Sequence, residues 1–267
     1  MRRTGLLYFF VLVLAGCATV PVAPVPSFVL PAGSKVGILL ALDPTPVHVH
    51  VGTTVFNNFN KSYTFPWDIN QKATSTFSAQ LKAASFVPMD IAPLGFKASE
   101  INALVTSDGR AWLDNPAQLA QLNRLRKELD VKAVVVVADK RVLADLECTG
   151  GPCAERYMDK SGLFTRSFLG LTRYKAVAAM EVKLFVLNPA VELSAVEPLK
   201  ARLAQRAVFM RDFKDPKVFA NLTPEEFAPV VNAIDGYLND AATAVATALR
   251  EGAKLGEHLV HFSCSCQ

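Results

Sequence analysis

The chain has 267 residues, of which 51% are hydrophobic and 19% are charged, so it is long enough to fold around a packed core as one large domain or two small ones. Its 28 Lys and Arg residues against 24 Asp and Glu residues give a formal net charge of only +4. The basic residues do not gather in one stretch, as they do in proteins that bind nucleic acid, so we do not expect nucleic acid to be a partner.

The chain opens with a basic pair followed by an apolar run. Arg2 and Arg3 precede the apolar residues 5–16, which is the order found in export signals. The run is well short of the roughly 20 apolar residues that a membrane-spanning helix needs. We therefore predict that residues 1–16 are a signal peptide that is removed.

The apolar run ends on Leu14-Ala15-Gly16-Cys17, which resembles the lipobox of bacterial lipoproteins. In that family the signal is cut before the cysteine, which receives a diacylglyceryl group while its freed amine receives a further acyl chain. The resemblance implies that Cys17 anchors the mature chain in a lipid bilayer. Because Ala18 rather than Asp follows, it also implies the outer membrane, with the protein facing the periplasm.

The cysteine count agrees with this assignment. The chain has five cysteines, and an exported protein with an odd number would keep one thiol unpaired. Lipidation of Cys17 leaves Cys148, Cys153, Cys264 and Cys266, which allow three pairings. We favour a disulfide between Cys148 and Cys153, because the intervening TGGP suits a turn. A bond between Cys264 and Cys266 would close a strained ring.

The segment after the anchor is rich in proline. Residues 18–34 contain four prolines, and an extended chain of this composition reaches about 50 Å. We therefore predict that residues 17–34 are a tether from lipidated Cys17. Residues 35–267 are predicted to form a single periplasmic domain.

The first predicted elements of that domain are two strands and a helix. The continuous apolar run over residues 35–42 predicts a buried strand. In HVHVGTTVFNNF, valines alternate with His48 and His50, which predicts a half-exposed strand with both histidines on its polar face. Residues 68–84 predict a helix, and FVPMDIAP after it predicts the next strand.

A second helix and strand follow. Asn115 can cap a helix in which the leucines from Leu119 to Leu129 form a buried stripe. Residues 132–138, KAVVVVA, are apolar on both faces, as a central parallel strand covered by helices must be. Residues 174–188 predict a long strand, and residues 200–209 predict an antiparallel partner for it.

The last predicted element is a long helix. A capping box starts it at Thr223, and apolar residues recur at helical spacing to about residue 255, with Pro229 placed to kink its first turns. The order of elements predicts an α/β fold with α+β character. We expect a three-layer mixed sheet with two βα units, antiparallel C-terminal strands and a long C-terminal helix.

This pattern over residues 35–255 resembles the small α/β domain of several envelope proteins. Examples are the curli secretion lipoprotein, the penicillin-binding-protein activator lipoproteins and the N-terminal domain of the Tol system β-propeller protein. The resemblance implies a non-enzymatic protein that binds another envelope protein or assembles with itself. The resemblance does not assign any contact residue of those proteins to a position in this chain.

A metal-binding or redox role is the alternative. His48 and His50 project to the same face of a strand and could share a metal ion, with a third ligand from His258, His261 or the two C-terminal cysteines. Two ligands are too few, so polar strand-face histidines are the favoured interpretation. Cys264 and Cys266 could instead form an accessible, oxidising disulfide. The sequence holds no nucleophile elbow, phosphate loop or zinc-protease motif, so we expect neither an enzyme nor a cofactor.

Residues 139–173 are the predicted functional surface. They read as a long loop after the central strand, at the edge where open α/β sheets bind ligands. Apolar side chains beside arginines suit a partner-binding site. The alternative is that these residues form a hidden strand or helix that fills the core. The candidate partner-binding residues are Leu163, Phe164, Arg166, Phe168, Leu169 and Arg173.

Overall fold

The computed structural model describes residues 23–146 and 154–252. Sheet A is a mixed five-stranded sheet at the centre of the molecule. Its central strands β1 and β7 are parallel, β4 is parallel to β1, and β12 and β13 are antiparallel additions. In spatial order the strands are β13 (Ala190–Glu192), β12 (Met180–Leu187), β7 (Val131–Asp139), β1 (Lys35–Ala41) and β4 (Val87–Asp90).

The described residues form five α-helices, and most of them cover sheet A. One face of the sheet packs against α1 and α5, and the other packs against α2 and α3, so the arrangement has three layers. Because both faces are covered, the central strands are apolar on both sides. The helices are α1 (Ile69–Ala83), α2 (Ala98–Ile101), α3 (Leu119–Asn123, continued by a π-helical turn over Arg124–Glu128), α4 (Leu199–Ala204) and α5 (Pro224–Glu251).

Sheet B is a second five-stranded sheet beside the first. Its strands β2 and β10 are parallel, and the remaining neighbours are antiparallel. Two hairpins complete the β structure of the described ranges: β5 (Val105–Ser107) with β6 (Trp112–Asp114), and β8 (Val142–Leu146) with β9 (Ala154–Met158). In spatial order sheet B is β14 (Ala207–Phe209), β11 (Leu171–Val177), β10 (Gly162–Phe168), β2 (Val47–Val51) and β3 (Phe59–Ser62).

The predicted fold class is confirmed, and so are several of its elements. The structure combines mixed sheets with helices and a long C-terminal helix. Thr223 and Glu226 form the predicted capping box at the start of α5, and the helix runs through Pro229. α5 is amphipathic. Within the two described ranges, no helix combines the length and apolar character needed to cross a membrane.

The prediction of a single long strand over residues 174–188 is wrong. The chain leaves sheet B at the end of β11 and enters sheet A at the start of β12, so the apolar run serves two sheets. The crossing point is Ala178 and Ala179, both buried, where the Ala178 amide donates to the Arg206 carbonyl and the Lys140 amide donates to the Ala179 carbonyl. The predicted strand over residues 200–209 is also divided, into α4 and the short β14.

The segment over residues 139–173 is not a long loop. Its described part contains β8, β9, β10 and the start of β11, all of them paired. The alternative of a hidden strand is therefore correct for β10. Leu163 faces the core shared with α5, and Phe164 on the opposite face packs beneath the β8 and β9 hairpin.

The described part of the predicted tether is packed onto the domain. Ala23 and Phe28 are buried, and Val25 and Leu30 pack against the main core. The Trp112 Nε1 group donates a hydrogen bond of 3.1 Å to the Ala23 carbonyl oxygen. Residues 23–34 are thus part of the folded body, and the predicted free tether over residues 17–34 is wrong for this part.

Candidate functional site

One end of sheet B exposes four large apolar side chains, and we call this set the apolar tip. Two of them lie in the connection from β2 to β3, and the other two lie at the turn from β10 to β11. The Thr53 hydroxyl donates to the Ser167 carbonyl, which holds the two connections side by side. The apolar tip consists of Val55 (73% exposed), Phe56 (94%), Leu169 (77%) and Leu171 (72%).

The turn at the apolar tip holds a leucine in an unfavourable backbone conformation. Leu169 and Gly170 connect paired strands and have φ values of 48° and 83°. A two-residue hairpin turn with positive φ at both positions favours Asn-Gly or Gly-Gly, because a larger side chain is strained there. The leucine is nevertheless presented to solvent. Strain of this kind clusters at binding sites, where the side chain itself is needed.

An arginine lies just behind the apolar tip. Arg166 is only 9% exposed, and its guanidinium lies 5.4 Å from the ring of half-buried Phe168. Among the described residues, its Nη1 atom is buried without a hydrogen-bond partner. A buried cation usually has an anionic or hydrogen-bonding partner, because the loss of hydration is costly. Arg166 is a buried cation behind the apolar tip and not part of its exposed surface.

The histidine pair lies on the opposite face of sheet B, and the predicted half-exposed strand is wrong because both side chains are buried. Nε2 of His48 and Nδ1 of His50 lie 2.7 and 2.9 Å from the same hydroxyl oxygen, that of Thr165. This hydroxyl has one hydrogen, so it can donate to only one of the two rings. The Tyr63 hydroxyl lies 3.4 Å from His48 Nδ1.

Residues 210–223, the connection from β14 to α5, cover the histidine pair. Phe219 packs over both rings, with centroids 5.4 Å from His48 and 4.6 Å from His50, and Phe59 closes the side. A hydrogen bond from the Tyr174 hydroxyl to the Asp215 carboxylate fixes the same segment in place. Thr165 is fully buried, so the arrangement has no open face toward solvent.

Burial controls the protonation of these groups. This burial, together with the neighbouring charges of His50 and Lys61, lowers the pKa of His48 to about 3. It lowers the pKa of His50 to about 4, although the hydrogen bond to Thr165 acts in the opposite direction. Burial and the partnership with Asp215 raise the pKa of Tyr174. Both histidines are thus neutral at neutral pH.

The histidine pair does not form a metal centre with other described residues. Nε2 of His48 and Nδ1 of His50 both point to the Thr165 hydroxyl. Within residues 23–146 and 154–252, no group of three or more His, Cys, Asp or Glu side chains could hold a metal ion. The proposed third ligands, His258, His261, Cys264 and Cys266, lie outside these ranges, as do Cys17, Cys148 and Cys153.

A cleft of about 760 Å³ lies at the other end of the molecule. It runs between residues 29–31 and the turn after β12, and Trp112 forms one wall. Its main charged groups satisfy each other: Arg126 binds both carboxylate oxygens of Asp114 and also donates to the Leu187 carbonyl. The cleft presents polar and apolar surface in about equal measure beside the packed N-terminal segment.

The structure divides the predicted partner-binding residues into two groups. Leu163 and Phe164 are fully buried and are core residues, so they do not belong to a surface. Leu169 is exposed at the apolar tip, with Arg166 and Phe168 directly behind it. Arg173 lies opposite Arg166 on β11, and its guanidinium is 5.9 Å from the Phe209 ring.

Sequence reasoning missed half of the apolar tip. Val55 and Phe56 stand between polar residues in GTTVFNNF, and two adjacent apolar residues in a polar connection are a usable signal. Thr165 and Phe219 carried no signal, because their importance depends on contacts with residues more than a hundred positions away. Comparison of the chain with protein-family models, with curated proteins and with solved structures gives no match.

Proposed function

We propose that the protein is an outer-membrane lipoprotein that acts without catalysis, by binding another protein of the cell envelope through the apolar tip of sheet B. The observation that carries this proposal is the grouping of four large, strongly exposed apolar side chains at one end of one sheet. Exposed apolar groups that are contiguous, rather than scattered, are typical of protein interaction sites.

The anchor is supported by the sequence before the domain. Residues 14–17 resemble a lipobox and follow a basic pair and an apolar run, the order found in export signals. Binding is favoured over catalysis by the position of the titratable cluster. His48, Thr165 and His50 are sealed beneath Phe219, where a substrate has no access.

The partner's surface is defined by the chemistry of the tip. Phe56, Leu169 and Leu171 require apolar side chains or a shallow apolar groove opposite them. Arg166 is buried behind the tip, so the side chains that the tip exposes are apolar. The proposed partner is therefore an envelope protein with a complementary apolar surface patch.

Photo-crosslinking in intact cells tests the proposal. A photoreactive amino acid replaces Phe56 in one variant and Leu169 in another, and Val87 in the control, because Val87 is also exposed but lies in sheet A. We expect the two tip variants to form an adduct with the same envelope protein and the control to form none. Adding Leu171→Asp should remove the adduct without changing the melting temperature.

Two results would overturn the proposal. An adduct that contains only a second copy of this chain would identify self-assembly in place of a separate partner. The absence of any adduct at both tip positions, in cells where the protein is folded and abundant, would exclude the tip as an interface. The anchor is tested separately: Cys17→Ser should release the protein from the outer-membrane fraction.

A further inference from the structure

The packing of the N-terminal segment shortens the distance between the domain and its proposed anchor. Residues 23–34 belong to the folded body, and Ala23 is fixed by the hydrogen bond from Trp112. Only residues 17–22 remain between Cys17 and that fixed point. Six residue steps span at most about 22 Å even when fully extended. The body is therefore held much closer to the bilayer than a free proline-rich tether would hold it.

The point of attachment lies at one end of the molecule, which we call the anchor end. The starts of β1 and β7 and the ends of α1 and α5 meet there. The Gly33 amide donates to the Ser85 carbonyl after α1, and Gly252 after α5 lies against Phe28, so closely that a Cβ atom there would be 2.7 Å from the Phe28 carbonyl oxygen.

The apolar tip lies at the opposite end. Phe227, in the first turn of α5, packs against Phe65 and Tyr63, which follow β3, and β3 leads back to the connection that carries Phe56. The last turn of α5 lies at the anchor end. The helix has 28 residues and is about 42 Å long at 1.5 Å per residue, so the anchor end lies roughly that far from the base of sheet B, and the apolar tip lies beyond that base at the other end of β2 and β3.

The anchor end carries both apolar and basic side chains on its surface. Val29, Val87 and Leu113 are exposed large hydrophobic residues, and Val29 and Leu113 line the same cleft. Basic side chains outnumber acidic ones, although Lys132 is paired with Asp130 and Lys35 donates to the Leu129 carbonyl. The basic set is Lys35, Lys82, Arg126, Lys127, Lys132 and Arg250, and the acidic set is Asp114, Glu128, Asp130 and Glu251. Apolar groups flanked by lysines suit the interface of a bilayer that contains anionic lipid.

We propose that the anchor end rests on the phospholipid headgroups of the membrane that holds Cys17, through Val29, Leu113 and the surrounding lysines. This inference rests on the proposed lipidation of Cys17. It gives the domain one orientation, in which the apolar tip points away from the bilayer at a height of more than roughly 40 Å. The ligand that the anchor end recognises is a bilayer surface whose headgroups carry anionic phosphate.

The two tryptophans of the chain provide a test, because they lie at different heights. Trp112 is at the anchor end, beside Ala23. Trp67 shares a shallow depression with Val231, which is 21 residues before Gly252 and thus roughly 30 Å away along α5. Trp67→Phe leaves Trp112 as the only fluorescent donor, and the wild-type signal minus that of this variant gives the contribution of Trp67, so the hydrogen bond from Trp112 to Ala23 is kept in both proteins. Trp67 Nε1 has no hydrogen-bond partner to lose.

The full lipidated protein is reconstituted into vesicles of phosphatidylethanolamine and phosphatidylglycerol that contain dansyl-labelled headgroups. Energy transfer to the headgroups is expected to be several-fold greater from Trp112 than from Trp67. Equal transfer from both would show that the domain has no fixed orientation, and greater transfer from Trp67 would show the reverse one. Either result overturns the inference while the anchor stands. Failure of the lipidated chain to stay with the vesicles overturns the anchor itself.

Matched charge variants separate surface contact from anchoring. Val29→Glu with Leu113→Glu places two carboxylates at the anchor end, and both positions are exposed enough to tolerate them. We expect a several-fold loss of Trp112 transfer while the chain remains bound through its lipid. Phe56→Glu with Leu171→Glu makes the same change at the apolar tip and is expected to leave the transfer unchanged. Unchanged energy transfer from Trp112 in the variant that carries Val29→Glu and Leu113→Glu would contradict the proposed contact with the bilayer.

Discussion

The two five-stranded sheets of this protein differ both in composition and in how they are covered. Sheet A has helices on both faces, and its central strands are apolar between their ends. Sheet B mixes apolar and polar residues, and it has a buried histidine pair beneath an irregular segment on one face, a hairpin on the other, and an apolar tip open to solvent. Helices therefore enclose the centre of sheet A, whereas one end of sheet B stays exposed.

The largest expected effect comes from one glycine in sheet B. A Cβ atom on Gly162 would lie 1.9 Å from the Val47 carbonyl oxygen, so Gly162→Ala must separate β10 from β2. We expect a loss of more than about 5 kcal/mol in the free energy of unfolding, measured by chemical denaturation. Gly37→Ala in sheet A is the matched control. Its Cβ would approach only side-chain atoms, those of Ile91 at 3.3 Å and of Val131 at 3.5 Å, so a stable variant is expected.

A second comparison separates the core of sheet B from its tip. Phe164 is fully buried beneath the β8 and β9 hairpin, and Phe164→Ala should cost about 3 to 5 kcal/mol through the cavity it leaves. Phe56→Ala removes the same side chain at the apolar tip and should leave the unfolding midpoint nearly unchanged. Equal costs in the two variants would show that Phe56 is packed in solution, which contradicts an exposed tip.

The histidine pair should make sheet B sensitive to acid. In the folded state the pKa values are lowered to about 3 and about 4 from an unfolded value of 6.5, so the unfolded chain binds protons first. The contribution of the two histidines to the free energy of unfolding is therefore fully present above pH 6.5 and is lost as the pH drops toward 4. In that window, each histidine that stays neutral in the folded state lowers the free energy of unfolding by about 1.4 kcal/mol for every unit by which the pH falls.

Denaturation at a series of pH values checks this expectation. His50→Gln removes one titrating ring, so its unfolding free energy should fall less steeply than that of the wild type between pH 6.5 and 4. Carboxylates that titrate in the same window contribute equally to both proteins and cancel in the comparison. Parallel curves for the two proteins would mean that His50 is not held neutral by burial.

The smallest expected effect concerns the turn at the apolar tip. Leu169→Asn places a residue that tolerates positive φ in the turn, so the domain should gain about 1 kcal/mol or less in stability. Leu171→Asn, in the adjacent strand, should give no such gain. Both variants should lose the crosslinked partner. A gain in stability with the partner retained would show that Leu169 contributes strain but no contact.

Local sequence signals were enough to locate many of the elements. The capping box at Thr223, the apolar spacing of α5 and the apolar runs of β1 and β7 act through neighbours in the chain or through simple burial. Of the candidate site residues, Leu169 could be selected by type and position, and it is exposed as expected. Phe164, which has the same apolar character, is fully buried, so composition alone did not separate surface from core.

The sequence by itself determined the elements whose signals are local, such as β1, β7 and the capped start of α5, because capping and periodicity are properties of adjacent residues. It did not distinguish the paired strands within residues 139–173 from a long loop, and it did not indicate the helix α4 at the start of residues 200–209. Only the tertiary structure decided which sheet each strand joins and which side of each strand meets water. The apolar run over residues 174–188 divides at Ala178 because the two halves find different partners, β10 and β7. His48 and His50 are buried because residues 210–223 cover them from a distant part of the chain. Burial is a property of the assembled contacts, and no local pattern encodes which distant segment will supply them.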